Sequence, residues 1–218
     1  MKDDNSPAAK RPAPKSENLY SVQSRIGRQA RAVQNGHAGG VLWLTGLSAS
    51  GKSTLALALE QRLFERGYQT YVLDGDNVRQ GLNSDLGFAP QDRNENIRRV
   101  GEVAALFADS GSIVITAFIS PYRADRDLAR AAAPGLFHEV HVDASLAACE
   151  ERDPKGLYSR ARRGEIPEFT GISAPYEEPT APELVVKTEN ASVADSVEQL
   201  VEYVVERFAA DTREPQAA

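Results

Sequence analysis

The octet Gly46-Leu47-Ser48-Ala49-Ser50-Gly51-Lys52-Ser53, followed by Thr54, matches the spacing G-x-x-x-x-G-K-[ST] in full, and few folds accommodate it. Gly46 and Gly51 let the backbone wrap so that successive N–H groups face a phosphate, Lys52 brings a cation to the outer phosphates, and Ser53 offers a hydroxyl to Mg²⁺. The device needs a strand leading in and a helix leading out, whose positive end then points at the anion. Both are present. Val41-Leu42-Trp43-Leu44-Thr45 is a short apolar run of the kind a buried parallel strand shows, and Leu55, Leu59 and Leu63 recur at helical spacing before Gly67. The ordinary alternative, a Gly/Ser-rich turn, gives the full pattern by chance in on the order of one chain in a hundred of this length.

The same alternation continues along the chain. Strands are expected at 68–73, 112–118, 137–142 and 184–187, and helices at 94–109, 124–133 and from Leu146 to Glu151. A last helix opens at Ser192, with Asp195 in capping-box position, and buries Val197, Leu200, Val201, Val204 and Phe208. Strands alternating with helices predict an α/β fold of the P-loop NTPase type, a parallel sheet covered by helices on both faces, with ligands at the carboxyl ends of the strands. Residues 39–210 are expected to form this kinase-like domain. Residues 1–38, with Pro7, Pro12 and Pro14 and few large apolar side chains, are expected as a flexible tail, and 211–218 as a disordered one. Within the first, 20–34 carries Tyr20, Val22, Ile26 and Val33, which would suit a short helix on a partner, but composition favours a solvated leader.

Charge narrows the partners. The formal charge is −6, and residues 1–38 carry seven Lys/Arg against three Asp/Glu, which leaves the remainder at −10. An acidic body does not suit broad phosphate-backbone binding, so no nucleic-acid partner is expected and any anion must be held by a local site. Cys149 is the only cysteine, which rules out an intrachain disulfide or a Cys-rich metal site. No apolar leader follows Met1, and the longest apolar run, 113–119, is broken by Thr116 and too short for a span. A cytoplasmic protein without a membrane segment is the expectation. His138 and His141, three apart on an expected strand, face opposite sides and cannot share a metal.

A phosphate loop is shared by GTPases, motors, regulatory modules and kinases. The second strand runs into Leu73-Asp74-Gly75-Asp76-Asn77-Val78-Arg79, placing two carboxylates where a phosphoryl group and an acceptor hydroxyl could meet. One can orient or deprotonate the nucleophile, the other can hold Mg²⁺ or its waters. An Asp/Gly turn with a helix N-cap explains the stretch equally well by itself. No Asn-Lys-x-Asp guanine-reading signal appears, so a small-molecule kinase is favoured over a GTPase.

These stretches resemble the adenylylsulfate kinases. The resemblance takes in the loop from Gly46 through Thr54, the 73–79 stretch, Gly81-Leu82-Asn83, Asp85-Leu86-Gly87-Phe88 and Asp92-Arg93-Asn94-Glu95-Asn96-Ile97-Arg98-Arg99. It continues through Ala117-Phe118-Ile119-Ser120-Pro121-Tyr122-Arg123, Asp153-Pro154-Lys155-Gly156-Leu157-Tyr158 and Phe169-Thr170-Gly171-Ile172, in the family's order over about residues 22 to 208. The resemblance implies transfer of the ATP γ-phosphoryl to the ribose 3′-hydroxyl of adenylyl sulfate, with Mg²⁺. Phe88 and Phe169 resemble the rings that sandwich the substrate adenine; Arg79, Arg93 and Asn96 match positions that hold phosphosulfate and ribose. Ile119, Ser120 and Lys155 match further substrate positions. Asp74 resembles the carboxylate that activates the 3′-hydroxyl, Lys52 the catalytic cation, and Ser53 and Asp76 the metal positions. Ser120 aligns with a serine treated in the family as a phosphoserine intermediate, although in-line transfer needs no covalent step and Ser-Pro after a strand is also an ordinary turn.

Residues 152–176 resemble a mobile lid, carrying Arg152, Lys155, Arg160, Arg162 and Arg163 among Gly156, Gly164 and Gly171. Many relatives place a basic residue where this chain has Pro167, so a cationic contact there would fall to Arg162 or Arg163. The resemblance also implies a homodimer and raises an association with an ATP sulfurylase. Two rival readings are a nucleotide or sugar kinase of the same fold, which would not account for the Phe88/Phe169 pair, and a non-catalytic ATP-binding module, against which the intact Lys52, Ser53, Asp74 and Asp76 speak.

Overall fold

The computed structural model describes residues 16–210. Five strands form one sheet: β1 (Gly40–Thr45), β2 (Thr70–Asp74), β3 (Ile113–Ala117), β4 (Phe137–Asp143) and β5 (Leu184–Lys187). All pair in parallel, in the order β2-β3-β1-β4-β5. The connecting helices are α2 (Lys52–Glu65), α3 (Gly75–Gln80), α4 (Pro90–Asp109), α5 (Arg123–Ala132), α6 (Leu146–Arg152), α7 (Leu157–Arg162) and α8 (Val193–Arg207), with α1 (Arg28–Asn35) ahead of the sheet.

The central strand explains the two layers. Alternate side chains of a strand point to opposite faces. Leu42 and Leu44 of β1 therefore join Leu55, Leu59 and Leu63 of α2 and Leu200, Val201 and Val204 of α8 on one side. Val41 and Trp43 join Ile97, Val100 and Ala104 of α4 and Ala129 of α5 on the other. Helices α4 and α5 approach closely because position 101 is glycine: a Cβ there would lie 2.8 Å from Ala129 Cα. A third, smaller cluster (Ala144, Cys149, Tyr158, Ala161, Phe169) seats the 152–176 segment beside Leu47 and Ala49 of the phosphate loop.

Several expectations shift. The segment expected as tail contains α1, which docks on the end of α4: Arg28 pairs with Asp109 at 2.7 Å, and Asn35 Nδ2 donates to the Gly111 carbonyl at 3.2 Å. The short helix weighed for a partner therefore lies on this chain's own domain. Buried His37 anchors the entry to β1, since its Nε2 accepts from Gln69 N–H at 2.9 Å, and the neighbouring Ala38 N–H donates to Phe208 O. Residues 1–15 and 211–218 lie outside the described residues. Helix α4 begins at Pro90, earlier than expected, because proline suits a first helical turn. The α8 cap is as expected: Asp195 N–H donates to Ser192 Oγ at 3.1 Å. Among the described residues no helix is long and apolar enough to cross a membrane.

Candidate active site

Parallel pairing brings the carboxyl ends of β1, β2 and β3 to one edge, and β3 lies between the other two. Two strand spacings, about 10 Å, therefore separate the phosphate loop from the end of β2. Side chains bridge the gap. Ser53 on the first turn of α2 donates to Asp74 Oδ2 at 2.6 Å, while Asp74 Oδ1 caps α3 by accepting from Asp76 N–H at 3.0 Å. The Asp/Gly stretch is thus both a helix cap and a carboxylate held against the phosphate loop.

The loop itself is shaped by its two glycines. At Gly46 a Cβ would lie 2.5 Å from Val142 O, so a side chain has no room. Gly51 has room, with Thr188 Cγ2 at 3.9 Å the nearest neighbour of a would-be Cβ, but holds φ +106 as the N-cap of α2. Conformation rather than space therefore requires glycine at position 51, where the loop turns into the helix. Lys52 is buried and donates to the carbonyls of Gly46 (3.0 Å) and Leu47 (2.6 Å). Burial pulls its pKa down to about 8, opposed by the neighbouring Cys149 and by the Asp74 carboxylate. Ala49 holds φ +59 with a side chain present, and Ser50 Oγ is buried without a partner inside the loop.

The residues expected on the acceptor side gather around α3 and the start of α4. The Arg79 guanidinium lies 4.5 Å over the Phe88 ring and donates to Gly87 O at 2.8 Å. Arg93 spans the two aromatic positions: Nε donates to Phe88 O (2.8 Å), Nη2 to Glu168 O (2.7 Å) and Nη1 to Thr170 Oγ1 (3.3 Å). Phe88 is exposed, whereas Phe169 is buried edge-on against Tyr158. Asn96 is buried and accepts from Asn83 Nδ2 at 3.0 Å. Lys155 pairs with Asp76, which raises the ammonium's pKa. The structure therefore groups Ser53 with Asp74, Asp76 with Lys155, and Arg79 and Arg93 with the two rings.

Arg162 and Arg163, offered as substitutes for a basic residue at 167, are engaged elsewhere. Arg162 pairs with Glu150, and Arg163 with Glu165 and Ser159 Oγ. Arg152 instead reaches the phosphate-loop side, donating to Thr188 O at 2.6 Å, and Thr188 Oγ1 donates to Ser50 O.

Ser120 occupies an interior position. Its side chain is buried at φ +40, accepts from Trp43 Nε1 at 3.1 Å and donates to Thr45 Oγ1 at 3.0 Å. Thr45 Oγ1 donates to Ile119 O at 2.7 Å; its one proton is thereby used, and Tyr176 OH donates to it at 3.1 Å. Burial pushes the Tyr176 phenol up to about 12, so it stays a donor. Beneath them Arg126, ion-paired with Glu139 in the interior, donates to Ser120 O and Glu177 O, both at 2.7 Å. Trp43, Thr45, Arg126, Tyr158 and Tyr176 were not singled out from sequence. Most of their partners lie 51 to 131 residues away, so local spacing carries no sign of them.

The arrangement suits a nucleotide-dependent kinase, and comparison with known proteins shows the family. A family model described as adenylylsulphate kinase matches residues 38–187. An adenylyl-sulfate kinase of Staphylococcus carnosus (strain TM300) is 57% identical over 191 residues, covering 87% of this chain and 96% of the relative. One from Bacillus pumilus (strain SAFR-032) is 58% identical over 192 residues, covering 88% and 98%. The solved Mycobacterium tuberculosis APS kinase in complex with AMPPNP and APS is 47% identical at a TM-score of 0.74, covering 78% of this chain and 98% of that one.

Proposed function

The chain belongs to the adenylylsulfate kinase family, and within that family's reaction we propose a division of labour among its residues. The enzyme transfers the γ-phosphoryl of ATP to the 3′-hydroxyl of adenosine 5′-phosphosulfate, giving 3′-phosphoadenylyl sulfate and ADP in sulfate assimilation. The observation that carries the assignment is the 2.6 Å contact of Ser53 with Asp74, which ties the phosphate-binding helix to the acceptor-side carboxylate.

Residues 46–54 bind the ATP phosphates, with Gly51 turning the loop into α2 and Lys52 neutralising charge on the transferring group. Phosphoryl transfer asks the protein for alignment and electrostatics rather than covalent chemistry. Asp74 takes the proton of the 3′-hydroxyl. Phe88 and Phe169 receive the adenine of adenylyl sulfate, at a separation set by Arg93. Arg79, Arg93, Asn96 and Lys155 hold its phosphosulfate and ribose, and Ile119 and Ser120 border it through the loop they form after β3.

Mg²⁺ fits the donor set, because Ser53 and Asp76 offer hard hydroxyl and carboxylate oxygens. A site of one or two protein oxygens completed by phosphate is what Mg²⁺ takes, and when bound it offsets charge on the phosphate oxygens. Residues 152–176 act as the mobile lid, supported by the packing of Tyr158, Ala161 and Phe169 against the phosphate loop. Dependence on ATP supports a cytoplasmic location. A homodimer and docking on an ATP sulfurylase are part of the reading through the family alone.

The test is turnover: Mg-ATP with adenylyl sulfate, beside AMP, a nucleoside and gluconate. ADP release that depends on adenylyl sulfate is expected. Equal release with another acceptor, or with none, would refute the assignment.

A further inference from the structure

Tyr158 touches both halves of the site. It lies on α7, almost wholly buried, and its hydroxyl donates to Ser48 O in the phosphate loop at 3.0 Å. Its ring meets Phe169 edge-on, with centroids 5.0 Å apart and planes at 78°. The helix that carries it is fixed by Asp153, whose carboxylate accepts from the N–H groups of Tyr158 and Ser159. Phe169 is fixed as well: its N–H donates to Ser173 Oγ at 3.0 Å, and Arg93 holds the carbonyl of Glu168 before it.

The hydroxyl contact bears on the loop's shape. In a trans peptide the C=O and N–H of one unit point in opposite directions. Holding Ser48 O toward Tyr158 therefore turns the Ala49 N–H away from it, to the side on which loop N–H groups meet phosphate. Ala49 also holds φ +59, a conformation that costs a side-chain-bearing residue energy and persists only where neighbours impose it. Anything that fills the loop and orders this peptide acts on Tyr158, and through its ring on Phe169.

We propose that Tyr158 couples the donor and acceptor sites, so that nucleotide at the phosphate loop raises the affinity for adenylyl sulfate at Phe169. It is a positioning residue, touching neither reacting atom. The inference rests on the assignment of Phe169 to the acceptor. Burial raises the phenol well above its ordinary value, so the hydroxyl remains a donor throughout the physiological range.

Calorimetric titration of adenylyl sulfate into the full chain, with and without a saturating non-hydrolysable ATP analogue and Mg²⁺, measures the coupling directly. The unmodified protein is expected to bind adenylyl sulfate about 5- to 50-fold more tightly with the analogue, and the analogue to gain by the same factor from adenylyl sulfate. Tyr158→Phe keeps the ring and loses the hydroxyl; its affinity for adenylyl sulfate alone should stay within about twofold, while the coupling falls below about threefold. Tyr158→Leu should lose affinity for adenylyl sulfate alone as well. A melting temperature for each variant separates these effects from unfolding. Full coupling in Tyr158→Phe, or none in the unmodified protein, would overturn the inference. An unmodified protein that neither binds nor turns over adenylyl sulfate would overturn it together with the acceptor assignment, and the turnover assay tells the two failures apart.

Discussion

The indole N–H of Trp43 ends 3.1 Å from Ser120 Oγ, in the interior between β1 and the loop after β3. The contact joins the strand that feeds the phosphate loop to the loop that follows β3. With Thr45 and Tyr176 it makes a chain of hydroxyls in which each proton is used once.

A serine so engaged is placed to hold loops together, and direct in-line transfer needs no phosphorylated intermediate. Ser120→Ala should keep at least about a tenth of kcat and lower stability by about 1–2 kcal/mol, the scale of a buried hydrogen-bond group left unpaired. Trp43→Phe, which removes the indole donor and also opens a cavity between Phe118 and Phe137, should lose more. Complete loss of turnover in Ser120→Ala with normal nucleotide affinity, or a labelled phosphoserine formed from γ-labelled ATP at the rate of turnover, would restore the covalent route.

Lys52 gives nucleotide binding a pH signature. With its pKa near 8 before nucleotide binds, the amine is largely neutral at about pH 9, and bound polyphosphate favours the charged form. Binding at about pH 8.5–9 should take up close to one proton, and affinity should fall as pH rises through about 8. Calorimetry in buffers of different ionisation enthalpy reads the uptake. Lys52→Arg, always charged, should show none. Lys52→Ala should nearly abolish turnover.

Asp74 accepts from Ser53 and caps α3, so a substitution must spare its shape. Asp74→Asn can still accept from the Asp76 N–H but is no longer a base. We expect kcat to fall by about 10²- to 10⁴-fold with the KM for adenylyl sulfate within a few-fold. A parallel rise in KM would mean that the carboxylate binds substrate rather than activating it.

Arg93 serves three acceptors from one fork, which an ammonium cannot reproduce. Arg93→Lys should raise the KM for adenylyl sulfate by about tenfold or more while leaving the KM for ATP nearly unchanged, because the fork sets the spacing of Phe88 and Phe169. Equal effects on both substrates would show that it braces the whole domain.

Much of the fold is legible in sequence where the cause is local. The span of β5 can be read to the residue, and the Ser192 cap is visible because capping depends on neighbours three positions apart. Helix α3 hides in an Asp/Gly stretch because six residues show too little periodicity to distinguish a helix from a turn. Helix α7 lies among glycines and charges that resemble a solvated loop; Tyr158 and Ala161 are buried in a cluster with Ala144, Cys149 and Phe169, against which the distant Leu47 and Ala49 also pack. In α1, three polar contacts to the α4 end outweigh a composition that by itself argues for disorder. The residue types at the site are readable, but their pairing is not. Nothing in spacing says that Ser53 meets Asp74 rather than Asp76, or that Arg126 reaches both Ser120 and Glu177.

The missing side chain at position 101 sets a mechanical condition on the chemistry. Helix α4 is about 30 Å long at about 1.5 Å per residue, and Arg93 and Asn96 sit toward its start. Gly101 is its fulcrum against the backbone of Ala129, with no flexible tip there to give way. Even a methyl group would tilt the helix about this point and carry the Arg93 fork, about 12 Å away, off its carbonyls. A single hydrogen atom, about 12 Å along the helix from Arg93, thus keeps that guanidinium fork in alignment.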